Sequence, residues 1–172
     1  MNDTLPVADR PSIGRLILVP ALITLGVTIA RLAAELGGAP KWLANNAAGG
    51  PGALLGIAWL APLFGIYFAR RLHGVAHPYR ALAKTLIAYG YAARIPVFLI
   101  TMLAIVNHWD THYSKFSQPG DPEPSLGMKI LFTAIFQLGA WVFVWTLGTG
   151  MLTGSLTYLF LRRRRSAAIQ PT

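Results

Sequence analysis

Thr85-Leu-Ile-Ala-Tyr-Gly-Tyr-Ala-Ala-Arg94-Ile-Pro-Val-Phe-Leu-Ile-Thr-Met-Leu-Ala-Ile-Val106 decides the fold class. The run is long enough to cross a bilayer as a helix and carries one charge, close to its middle. A charge at that depth costs about 2.5–3.5 kcal/mol on insertion scales, so Arg94 must face protein or a polar cavity rather than acyl chains. Three more apolar runs flank it: Ile13 to Leu36, Gly52 to Ala69, and Ile130 to Leu161. Lipid offers backbone groups no partner, so each run is expected to be helical. The expectation is an all-α, polytopic membrane protein with one integral domain over 1–172. Its four transmembrane helices would form an antiparallel bundle, kinked at Pro20, Pro62 and Pro96. Residues 1–10 and 166–172 are expected to be flexible tails.

Composition agrees. Of 172 residues, 54% are hydrophobic and 12% charged, against about 25% charged in an average soluble domain. The net charge of +9 would point to nucleic acid in a soluble chain, but here most basic residues flank apolar spans, so nucleic acid is not an expected partner and membrane lipids are. Arg10, Arg15, Arg70, Arg71, Arg80, Lys84 and Arg162–Arg165 fall on one side of the membrane, and Lys41, Lys115 and Lys129 on the other. The positive-inside rule then puts both termini in the cytoplasm and the loops 37–51 and 107–129 outside. Arg outnumbers Lys 11 to 4, and Ala and Gly abound, which reads as a bacterial chain and hence an inner-membrane one. Arg31 and Glu35 stand where a small-residue cleavage site would follow the first run, so that run is read as a span rather than a signal peptide. The absence of Cys removes disulfides and thiolate chemistry.

The polar residues inside and beside the spans are few. Thr24, Thr28, Arg31 and Glu35 recur at helical spacing and define one face of the first span. Gln137 and Tyr91 are candidate partners for Arg94, beside carbonyls loosened by the prolines. Thr146, Thr149, Thr153 and Thr157 form a stripe on the last span beside Gly150 and Gly154, whose spacing lets a neighbouring helix approach closely. That last run has 32 residues, about 48 Å of α-helix against about 30 Å of hydrocarbon. It must tilt, project or break.

Chemistry is densest in Asn107-His-Trp-Asp-Thr-His-Tyr113. If the helix continued through it, His108 and His112 would share a face, and Glu35 could add a carboxylate to a divalent-metal site, with zinc or iron the plausible ions. Without a metal, the same segment reads as an aromatic-anchored cap with histidines near a helix C-terminus. His73 and His77 flank Gly74 and precede Pro78, and read as solvated loop histidines.

No His lies inside a span, which argues against a haem held between helices. No phosphate-binding loop, nucleophile elbow or dinucleotide fingerprint is present. Two function classes remain. One is a non-catalytic accessory subunit or homo-oligomer that packs through small-residue helix faces against a membrane-protein partner, with no cofactor. The other is an outer-face pocket lined by Arg31, Glu35, Arg94, His108, Asp110, His112 and Tyr113, binding a metal, an anion or a lipid headgroup, with hydrolysis or group transfer conceivable there.

Overall fold

The computed structural model describes residues 12–40, 57–114, 116 and 122–168, the last four of these by backbone only. Helix α1 spans Ile13–Leu36, the expected run. Ser12 caps it by accepting the Arg15 N–H, and the chain leaves through Gly37 and Gly38, the latter at φ +73°. Its buried residues are Leu16, Pro20, Thr24, Thr28 and Arg31, a single face at steps of four and three. The Thr24 and Thr28 hydroxyls donate to the carbonyls of Pro20 and Thr24, so neither is left unpaired.

Helix α2 spans Leu60–Leu72 and differs from the expected second span. Residues 52–56 lie outside the described residues, and 57–59 form a turn. Pro62 therefore sits in the first helical turn, where it removes no intrahelical bond, and is not a mid-span kink. Its carbonyl accepts from Thr153 Oγ1 at 2.8 Å. Helix α3 spans Pro78–Val106 and starts seven residues ahead of the apolar run. Proline fits the first helical position, and the basic turn Pro78–Lys84 is helical without being apolar.

The last rod begins at Leu126, capped by Ser125. It passes from α4 (Leu126–Ala134) through a π-helical stretch (Ile135–Leu147) into α5 (Gly148–Ala168). Helical structure thus continues through 166–168, where a tail was expected. The rod is continuous and does not break at Gly148 or Gly150. Wider π turns take up more residues per turn, which absorbs part of the excess length. Thr146 Oγ1 donates to the Trp141 carbonyl, five residues back, as that geometry requires.

Among the described residues, three helices are long and apolar enough to cross a membrane: Ile13–Leu36, Pro78–Val106 and Leu126–Arg164. Leu18, Val19, Leu22, Leu99, Leu103, Val144, Leu152 and Leu156 stand exposed on their outer faces. A belt of that size belongs in lipid.

Packing follows the small residues. A Cβ on Gly65 would lie 2.5 Å from the Gly150 carbonyl oxygen, one on Gly154 would meet Leu82, and one on Gly90 would meet Val142. The glycine faces of α2, α3 and the last rod are thus consumed within the chain. One apolar cluster gathers Leu16, Phe68, Leu72, Leu82, Leu86, Tyr89 and Tyr158. At the other end Val97, Ala104 and Tyr113 pack with Leu32 and Ile57. Going from the first cluster to the second, α1 and α3 ascend in residue number and α2 and the last rod descend. Tyr89 OH and Thr24 Oγ1, 2.8 Å apart, tie α1 to α3 midway.

Candidate functional site

At the second cluster the helices part around a cavity of about 470 Å³. Helix α1 contributes Thr28 and Arg31, α3 contributes Arg94 and Thr101, and the last rod contributes Thr133, Gln137 and Trp141. His112 and Tyr113, on the turn after α3, also line it.

Arg94 is 6% exposed. Its Nη1 donates to Gln137 Oε1 at 3.3 Å, and its Cζ stands 4.3 Å from the centre of the Trp141 ring. The π-helical stretch brings both of these residues, four apart, onto one guanidinium. Among the described residues no carboxylate lies within 4.0 Å of Arg94. Tyr91, the other candidate partner, packs edge-on against Phe143 instead.

Arg31 is 5% exposed and is paired. Its Nε donates to Glu35 Oε1 at 3.1 Å. Glu35 also accepts the His112 backbone N–H on Oε2 at 2.9 Å, and its Oε1 meets His112 Nδ1. One carboxylate thus latches the turn after α3 onto the end of α1. Among the described residues, Nη2 of Arg31 is buried with no acceptor. A guanidinium N–H in that state carries a desolvation penalty that an incoming oxygen would relieve. Burial pushes the Tyr113 phenol up to about 12, so it stays an O–H donor.

Among the described residues, Glu35 balances Arg31 and the positive charge of Arg94 remains over. In a low-dielectric cavity that charge attracts an anion far more strongly than it would in water.

Of the residues singled out in the sequence, Arg31, Arg94, His112 and Tyr113 line this cavity, and Glu35 supports it from behind. His108 and Asp110 do not join them. They border a separate cavity of about 620 Å³ with Trp109, Glu123 and Lys129. Helix α3 ends at Val106, and His108 adopts φ +53°, so His108 and His112 never share a helical face. His112 and Glu35 do meet, but His108 stands apart from them. Among the described residues, no three His, Asp or Glu side chains group to hold a metal ion. Sequence reasoning missed the aromatic walls, Phe116, Phe132, Phe136 and Trp141. In a lipid-spanning run, Phe132 and Phe136 read simply as acyl-facing.

Comparison with known proteins returns no matching family model, no matching curated protein and no matching solved structure.

Proposed function

We propose that this chain is a bacterial inner-membrane protein, a bundle of four antiparallel helices with both termini in the cytoplasm, whose outward end holds an anionic ligand between Arg94 and Arg31. The observation that carries the reading is Arg94 itself. Among the described residues it is a buried guanidinium without a carboxylate, sharing one cavity with an Arg31 nitrogen that has no acceptor. The orientation draws support from the charge distribution. Arg15, Arg71 and Arg80 adjoin the Leu16, Leu72 and Leu82 end of the molecule, with Arg162 a turn beyond Tyr158, and the pocket lies at the opposite end.

Gly65, Gly150 and Gly154 face the chain's own helices, as does Gly90, while Gly52 and Gly56 lie outside the described residues. As a second reading, a partner subunit or second copy would have the exposed apolar belt to dock on.

Purified protein in detergent tests the pocket. Inorganic phosphate is expected to raise the unfolding midpoint beyond that in chloride of equal ionic strength. The gain would be about 2.7 kcal/mol at a hundredfold excess over Kd. Identical midpoints in the two salts would contradict the reading.

A further inference from the structure

We infer that the pocket takes the phosphate head of a membrane lipid, one lacking a cationic head substituent, which reaches it sideways from the outer leaflet past Phe132 and Phe136. The inference rests on the anion-pocket reading and narrows it.

Three observations point to a lipid rather than a free anion. The first is the wall. Apart from its few polar groups the cavity is apolar, with Phe132, Phe136, Trp141, Val97 and Ile57 around the two guanidinium groups. A small hydrated anion gains nothing from such walls, whereas the first part of an acyl chain buries itself against them.

The second is the opening. Phe132 and Phe136 line the cavity and yet are 38% and 56% exposed on the outside of the Leu126–Arg164 helix. They lie one turn apart, so a single stretch of helix surface faces both the cavity and the acyl region. A ligand passing there keeps its chain in the bilayer while its head reaches Arg94. About 470 Å³ suits a head and the start of a chain, with the remainder left outside in lipid.

The third is the charge pattern, which sets the head group. Two guanidinium groups suit phosphate oxygens, which they can hold in bidentate fashion. A choline or ethanolamine substituent would need an acceptor of its own. Glu35 is taken by Arg31 and His112, and the Trp141 face is taken by Arg94. The cavity therefore favours an anionic phospholipid, phosphatidic acid the simplest, over a zwitterionic one.

Native mass spectrometry of the whole purified chain tests this, with phosphatidic acid and phosphatidylcholine of identical acyl chains offered in equal amounts. The chain is expected to retain phosphatidic acid at least about tenfold better. Arg94→Leu is expected to erase the preference, and Arg94→Gln, which keeps a hydrogen-bond donor, provides the same readout should the leucine variant fold poorly. Equal retention of the two lipids overturns the inference. So does a preference that survives both substitutions, which would place the lipid on the basic inner surface. If inorganic phosphate stabilises the protein while the lipids are retained equally, the lipid inference fails and the anion pocket stands. If phosphate has no effect and neither lipid is preferred, both fail.

Discussion

Replacing Arg94 with leucine is expected to abolish stabilisation by phosphate while shifting the unfolding midpoint in chloride only modestly. Two opposed effects meet at this residue. The cation–π contact with Trp141 contributes on the order of 0.5–2 kcal/mol, and the hydrogen bond from a charged donor to Gln137 about 1.5–3. Against them stands the insertion cost of a guanidinium at depth, about 2.5–3.5 kcal/mol. The middles of these ranges nearly cancel, so loss of the side chain should move stability by no more than about 2 kcal/mol in either direction. The ligand loses its principal counter-charge and should bind at least a hundredfold more weakly, roughly the 3 kcal/mol lost when one partner of a buried charge pair is removed. Thermal unfolding in detergent with and without phosphate reads both quantities. If Arg94 were a structural clamp between α3 and the last rod, stability in chloride would fall by several kcal/mol, and the binding proposal would lose its main support.

Gly65→Ala is expected to cause the largest loss of stability of any single methyl addition. Its Cβ would stand 2.5 Å from the Gly150 carbonyl oxygen and 2.7 Å from the Gly150 Cα. Both obstacles are backbone, so no rotamer can relieve the clash and the two helices must separate. Overpacking of that kind costs about 1–3 kcal/mol or more, and here the hydrogen bond from Thr153 to the Pro62 carbonyl would be strained as well. Gly150→Ala should be milder, because its Cβ meets the flexible end of Leu86. Gly26→Ala and Gly139→Ala, with nothing within 4 Å, should be neutral or slightly stabilising. Chemical or thermal unfolding of the four variants gives the ranking. Equal effects across all four would mean that the Gly65–Gly150 approach is not a close one.

Much of the fold is legible in the sequence, because lipid enforces simple rules. The bounds of α1 follow from its apolar run alone, and the stripe Thr24, Thr28, Arg31 is its buried face because polar groups must turn from acyl chains. Hydropathy does not see the first two turns of α3, because Arg80 and Lys84 make them basic rather than apolar. It cannot see the π-helical stretch either, since apolar residues on all sides erase the periodicity that would reveal 3.6 or more residues per turn. At the site, Arg31, Arg94 and Gln137 were readable as polar groups in the wrong solvent. The separation of His108 from His112 was not, because it depends on where α3 stops and on one left-handed residue. Phe132 and Phe136 escaped notice for the opposite reason: an aromatic residue in a span needs no explanation until a cavity is found behind it.

The chain has no cysteine, so a single Thr133→Cys substitution places the only thiol on the cavity wall, where Thr133 is buried beside Arg94's partners. Intact cells are treated from outside with membrane-impermeant methanethiosulfonates, one anionic and one cationic, and the rates are compared. An outward, electropositive pocket predicts that the anionic reagent reacts about tenfold faster, and that adding Arg94→Leu removes the difference. A thiol that reacts with neither reagent from outside, or faster with the cationic one, would contradict the pocket at the centre of this account.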